Sequence, residues 1–295
     1  MASDLHDKAA RFRELHLRAG AFLMPNPWNA STARLLAAAG FEALGTTSAG
    51  VNYNNGVADN DYAVPRSEMM AEYRRVAEAV EVPVSGDLEA GFGAAPEAVA
   101  ETIAQSVACG MVGGSIQDYS GDPARPLYDL ERAADRIRAA REAADATGIA
   151  YTLTARAECF LIGHSKPFKD SVKRLNRYRQ AGADCLYAPG IVEPAMIGAL
   201  VNAVDGPVNV LMGLAGGSLS LGALAALGVK RVSIGGSLAR AALTVVRNAA
   251  REMRDQGTFG FAEAAIPNAE INAFFASNGH ASGIDRDADS AAKKS

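Results

Sequence analysis

The chain has 295 residues and only three cysteines, Cys109, Cys159 and Cys185. They are odd in number, widely spaced, and none has zinc-type spacing with a histidine. This argues against a disulfide framework and fits reduced thiols in a cytoplasmic protein. A large excess of charge of one sign is also lacking. Lys and Arg number 29 against 33 Asp and Glu, for a net charge of −4. No basic block suggests nucleic acid, and Lys293-Lys294 sits in a polar tail. No stretch reaches the roughly 18 uninterrupted apolar residues of a membrane span. Met1 to Arg13 is polar and charged, so no secretory signal is expected. The expected partners therefore include neither nucleic acid nor membrane.

What is present is an alternation. Short β-branched runs lie near 21–25, 42–47, 82–87, 111–116, 149–155, 184–188, 207–212 and 229–234. Amphipathic stretches lie between them, among them Ser31–Ala39, Arg66–Val80, Ala95–Cys109, Leu130–Thr147, Lys169–Ala181 and Ala239–Asp255. Gly40, Gly110, Gly148, Gly182 and Gly228 stand where helices stop. Strand then helix, repeated eight times, predicts an α/β fold, a (β/α)8 TIM barrel. A doubly wound sheet is the main alternative, but it rarely needs eight units. The expected organisation is a single barrel domain over 1–276, with a C-terminal helical extension, and a disordered tail over 277–295. The apolar helix Ala262 to Phe275 must bury a face, against a neighbouring subunit or against the barrel's own outer helices.

Functional groups of such a barrel gather at the C-terminal ends of its strands. Polar residues and glycines do stand there: Asn26, Ser48-Ala49-Gly50, Asp87 and Glu89, Gln117-Asp118, Arg156 and Glu158, Gly213 to Gly217, and Gly235-Gly236-Ser237. Asp87 and Glu89 are spaced i, i+2, so a continuous strand would point both to one face. Two acids there repel unless a cation separates them, and Mg²⁺ suits carboxylate and water oxygens.

In this order, several stretches resemble the isocitrate lyase/phosphoenolpyruvate mutase superfamily, from Phe22 to Phe275. They are Phe41 to Gly50, Asp87 to Gly93, Thr154 to Glu158, Ala181 to Asp184, Pro207 to Leu211 and Gly228 to Ser233. The resemblance implies a (β/α)8 barrel with a helix swapped between subunits of a dimer or tetramer. It also implies Mg²⁺, with Mn²⁺ as the alternative ion, and a small carboxylate whose enolate forms at the barrel mouth. On this resemblance Asp87 is the direct metal ligand, Glu89 and Gln117 hold metal-bound water, and Asp59 reaches the same water shell. Ser48, with the backbone of Ala49 and Gly50, receives the substrate carboxylate, and Arg156 clamps it.

Other readings stand beside these. Arg156 can pair with Glu158 or Glu89, Asp59 can cap a turn, and Asn209 can approach substrate or bond across the barrel.

The chain departs from the family pattern in three places. Gln117-Asp118 stands where Glu-Asp is usual, which removes a negative charge from the metal site; Asp118, next along the strand, should face the other way. The loop Tyr119 to Pro126 has no cysteine, which counts against isocitrate and methylisocitrate lyase activity. That loop is also shorter than in the mutase and the phosphonopyruvate hydrolase. Cys109 and Cys185 read as core thiols. Candidate proton handlers are Tyr119 and His164, with Ser120, Asp122 and Arg125 in the loop, and Tyr53 and Tyr187 as wall residues. Asn29, where relatives show Asp, is a good helix N-cap.

The expected function is a Mg²⁺-dependent lyase acting on a small 2-oxo or 2-hydroxy carboxylate, by decarboxylation of the oxaloacetate type or by retro-aldol cleavage. The alternatives are a P–C bond enzyme, or a diverged member with altered or lost metal-dependent catalysis. A cytoplasmic homo-oligomer, a tetramer by family habit, completes the expectation.

Overall fold

The computed structural model describes residues 2–59, 62–213 and 219–277. Eight parallel strands are β1 (Phe22–Met24), β2 (Leu44–Gly45), β3 (Val84–Asp87), β4 (Gly113–Gln117), β5 (Thr152–Arg156), β6 (Cys185–Tyr187), β7 (Val208–Leu211) and β8 (Arg231–Ser233). Each expected strand is present. The helices are α1 (Ala2–Leu17), α2 (Ala30–Ala38), α3 (Ser48–Asn54), α4 (Arg66–Glu78), α5 (Pro96–Ala108), α6 (Leu130–Ala146), α7 (Pro167–Gln180), α8 (Pro194–Ala203), α9 (Leu221–Ala226), α10 (Ser237–Gln256) and α11 (Asn268–Ala276). Among the described residues, no helix is long and apolar enough to cross a membrane.

The strands pair in the order β1-β8-β7-β6-β5-β4-β3-β2, so β1 and β2 meet at the seam of the barrel. Gly45 N donates to Pro25 O at 3.0 Å across that seam. Asn26, just past β1, completes the closure. Its Nδ2 donates to Thr46 O at 2.9 Å, and its Oδ1 accepts from Ile234 N at 2.8 Å and Gly235 N at 2.9 Å. One amide thus ties the ends of β1, β2 and β8.

α1, which the hydropathy of the N-terminal segment did not reveal, covers the N-terminal end of the barrel. Phe12 and His16, four apart, share one helix face and meet Phe22 of β1 edge-to-face. Phe12 also lies against Gly113, where an added Cβ would stand 2.7 Å from its Cε1 and 2.8 Å from Thr152 O. Only glycine allows that approach. At the start of α2, Asn29 Oδ1 accepts from Thr32 N at 2.9 Å in a reciprocal capping box, as an N-cap amide should.

The C-terminal apolar segment is not one helix. A 3₁₀ turn, Gly260–Ala264, precedes α11, and Pro267 between them cannot continue a helical hydrogen-bond ladder. α11 rests on α2, where Arg34 donates to the carbonyls of Phe274, Phe275 and Ser277. No α11 residue is buried within the single chain. Leu243, Val245 and Val246 of α10, with Phe259 and Phe261, are exposed. Apart from Ser277, the expected disordered tail lies outside the described residues.

The closure predicts a stability cost. Asn26→Ala removes three hydrogen bonds, each of net value about 1 kcal/mol. The urea midpoint should fall by an amount equivalent to about 3 kcal/mol at unchanged slope.

Candidate active site

The register of the barrel sets one row of side chains side by side. Gln117 pairs with Arg156, Arg156 with Tyr187, Tyr187 with Asn209, and Asn209 with Arg231. All five line a cavity of about 900 Å³ at the C-terminal end of the barrel, with Asp87, Asp59, Ser48, Ala49 and Glu158.

Asp87 is the last residue of β3, and its backbone is held on both sides. Its N–H donates to Thr46 Oγ1 at 2.9 Å, and its carbonyl accepts from the Tyr73 hydroxyl at 2.5 Å. Oδ2 accepts from Ser48 N at 3.2 Å and Ser48 Oγ at 3.0 Å. Oδ1 lies 3.4 Å from Ser115 Oγ and 4.0 Å from Arg156 Nη1. Arg156 also pairs with Glu158 through Nε and Nη2. Burial works against this cation, but the charge of Glu158 leads a set of contacts that outweighs it and holds the guanidinium charged. The salt bridge of Arg156 with Glu158 is thus formed, and Arg156 also lines the cavity.

Asp59 is exposed at the rim of the cavity. Its pKa lies above the ordinary 3.8, first through partial desolvation and then through the charge of Asp87. Gln117 faces the cavity, while Asp118 turns outward. There it accepts from Arg174 Nη1 at 3.0 Å, the Tyr178 hydroxyl at 2.6 Å and Glu158 N at 2.9 Å. Alternation along β4 gives the two neighbours different work, as expected.

Other expected site residues are placed differently. Glu89 does not share a strand face with Asp87, because β3 ends at Asp87 and Glu89 adopts a left-handed φ of 50°. It is buried outside the cavity lining, with Oε2 accepting from Tyr62 N at 2.7 Å. Ser48 presents both N–H and hydroxyl to Asp87, so its donors orient that carboxylate. Gly50 does not line the cavity; its N–H donates to the Thr47 side chain that caps α3. His164 also lies outside the lining and pairs with Asp170 at 3.2 Å. Cys159 is fully buried, Cys109 and Cys185 are buried too, and none lines the cavity.

Tyr119 stands on the rim in a small hairpin. It bridges to Leu127, while Ser120 N donates to Pro126 O at 2.9 Å and Ser120 Oγ to Arg125 O at 2.6 Å. The loop after β4 is therefore held by its own hydrogen bonds. The glycine-rich loop after β7, apart from Gly213, lies outside the described residues.

Sequence reading missed the floor of the cavity. Arg231 is 2% exposed. It donates through Nε to Asn209 Oδ1 at 2.9 Å and through Nη2 to Thr154 Oγ1 at 2.9 Å. Nη1 lies 3.2 Å from His16 Nε2. Arginine has only donors, so His16 accepts at Nε2 and donates from Nδ1 to Phe12 O at 2.8 Å. Burial, and then the Arg231 charge, lower the His16 pKa to about 3. The available clue was Arg231-Val232-Ser233, in which polar residues alternate around a valine.

No cluster of three His, Cys, Asp or Glu side chains suited to a metal occurs among the described residues. Mg²⁺ does not need one. It is commonly held by one or two carboxylates, with substrate and water filling the remaining positions. Asp87, Asp59 and the Gln117 amide offer hard oxygen donors at one cavity. The Asp59 pKa is raised first by desolvation and then by the charge of Asp87, and a cation would relieve that second part.

The family model for phosphoenolpyruvate phosphomutase matches residues 12–254. The chain belongs to this family. Within the phosphomutase family it is similar to a lyase/mutase candidate from Burkholderia cenocepacia. That crystal structure is 52% identical, with a TM-score of 0.90, over 93% of this chain and 97% of that one. This chain is also 31% identical to an uncharacterized protein of Mycobacterium tuberculosis, over 89% of this chain and 95% of the relative. Oxaloacetate decarboxylase of Chromohalobacter salexigens is 27% identical, over 85% of this chain and 86% of the relative. Enzymes of this superfamily are lyases and mutases, and the barrel agrees with that assignment.

Arg156→Lys keeps the charge but loses the planar fork shared by Glu158 and the cavity. One charged hydrogen bond is worth about 1.5–3 kcal/mol, so catalytic efficiency should fall roughly 10- to 100-fold. Steady-state kinetics and a fold check by circular dichroism measure this.

Proposed function

We propose that the protein is a Mg²⁺-dependent lyase that cleaves, or in reverse forms, a C–C bond in a small 2-oxo or 2-hydroxy carboxylate. The observation that carries this reading is the pairing of Asp87 and Arg156 at 4.0 Å on one cavity wall. A metal-side carboxylate and a guanidinium so close together offer complementary handles for the two ends of a 2-oxo acid group.

Asp87, Asp59 and Gln117 are the residues that would hold the ion, directly or through water. Bound there, Mg²⁺ supplies positive charge that stabilises a developing enolate. Arg156 binds the substrate carboxylate while Glu158 fixes its orientation. Ser48 and Ser115 hold the Asp87 carboxylate in place, and the Asn209 amide beside Tyr187 is bonded across the barrel to Arg231 and Ser233. Gln117 gives the site one negative charge fewer than a glutamate would.

Among lyase reactions we favour the oxaloacetate decarboxylase type. A carboxylate leaves as CO₂ without a dedicated acid at the leaving group, and the loop over the mouth carries no cysteine. The similarity to an oxaloacetate decarboxylase supports the same choice. Retro-aldol cleavage uses the same enolate and the same clamp.

Oxalate mimics that enolate, so the test is calorimetry of oxalate binding with and without Mg²⁺. Binding should require Mg²⁺ and vanish in Asp87→Ala; metal-independent binding would overturn the reading. Protonation of Asp59 competes with the cation. The Mg²⁺ affinity should therefore weaken as pH falls through its raised pKa, and that step should disappear in Asp59→Asn.

We also propose self-association through the exposed α10 face and the C-terminal segment. Sedimentation velocity should give a species heavier than the 30.6 kDa chain; a stable monomer at micromolar concentration would refute it.

A further inference from the structure

The mouth of the barrel holds an acid clamp and a guanidinium, but the reaction proposed above also needs a proton. Once CO₂ or an aldehyde has left, the enolate carbon must gain one. His164 lies off the cavity on Asp170, and Cys159 is sealed from it. Tyr119 belongs to the hairpin at the rim. Tyr187 differs from all three, because it stands in the wall of the barrel between Arg156 and Asn209.

Three neighbouring groups determine what the Tyr187 hydroxyl can do. Arg231 has only donors, so the Asn209 amide must turn Oδ1 toward its Nε, at 2.9 Å. That choice sends Asn209 Nδ2 to Ser233 Oγ, at 3.0 Å. Ser233 Oγ is then occupied as an acceptor, and its proton is available to a neighbour. Ser233 stands beside the Tyr187 phenol and can offer it that proton. A phenol oxygen that takes up the Ser233 proton directs its own elsewhere, and Tyr187 lines the cavity between Arg156 and Asn209.

We propose that Tyr187 is the proton donor to the enolate carbon, and that Arg231, Asn209 and Ser233 position it. This rests on the lyase reading above. In the step, the enolate π pair forms a C–H bond to the Tyr187 proton. The O–H bond breaks, and its electron pair stays on Oη as tyrosinate. Solvent water then returns a proton to Oη.

The surroundings suit both states. Burial raises the phenol pKa to about 12, so the proton is present at neutral pH. The Arg156 guanidinium, 5.4 Å from the ring centroid, attracts the tyrosinate once it forms. Arg231 has no carboxylate within salt-bridge distance among the described residues. Its charge therefore acts along the hydrogen-bond series without being neutralised at the source.

The test is exchange of pyruvate methyl protons with D₂O, followed by NMR in the presence of Mg²⁺. Exchange runs the protonation step in both directions without the C–C bond change. Wild-type protein should exchange, and Tyr187→Phe should slow exchange at least ~100-fold, the usual range for a positioned acid. Oxalate affinity should stay within about twofold of wild type. Ser233→Ala should slow exchange partially at unchanged oxalate affinity, and Ser233→Thr should restore it, a rescue that a packing role alone does not predict.

Exchange retained in Tyr187→Phe overturns the assignment and leaves the lyase reading standing. Exchange and Mg²⁺-dependent oxalate binding lost together make the hydroxyl a binding group and also overturn it. Wild-type protein with neither exchange nor Mg²⁺-dependent oxalate binding overturns the lyase reading, and this proposal with it.

Discussion

A guanidinium buried inside a β-barrel, without a carboxylate against it, dictates much of what surrounds it. A buried charge must be satisfied by hydrogen bonds. Arg231 draws those bonds from Asn209 of β7, Thr154 of β5 and His16 of α1. Barrels of this type are commonly filled by layers of branched apolar side chains. Here three separate elements turn polar atoms to the axis, and the fold and the cavity floor share the same bonds.

The mouth shows the opposite balance. Asp87, Asp59 and Glu158 face one well-placed cation, Arg156, so the upper cavity favours positive charge and the lower cavity favours electron-rich groups. A small anion bridging the two levels meets cations on both sides, provided a metal joins the carboxylates. Gln117 fits this arrangement, because its amide can serve the metal's water without adding to the repulsion.

The barrel was legible because its strands and helix stops repeat in sequence, and repetition survives errors at single boundaries. Asp87, Gln117 and Arg156 were legible for the same reason, since each ends a strand. Strand alternation also separated Gln117 from Asp118. It failed two residues after Asp87, because the alternation rule assumes that the strand continues, and a left-handed residue ends it. Ser48 shows another limit. Proximity to the mouth was readable, but which group its donors would meet was not. Arg231 and His16 were missed because their pairing spans 215 positions, and no local pattern reports a contact so distant.

The contact of α1 with Arg231 has a further consequence. The first helix is the sole described source of the imidazole that accepts from the buried cation, and that imidazole stays neutral far below physiological pH. The N-terminal helix is therefore part of the same cooperative unit as the cavity floor. Its fraying would expose a charged group at the centre of the barrel, so local opening at this end of the chain should carry nearly the free energy of global unfolding.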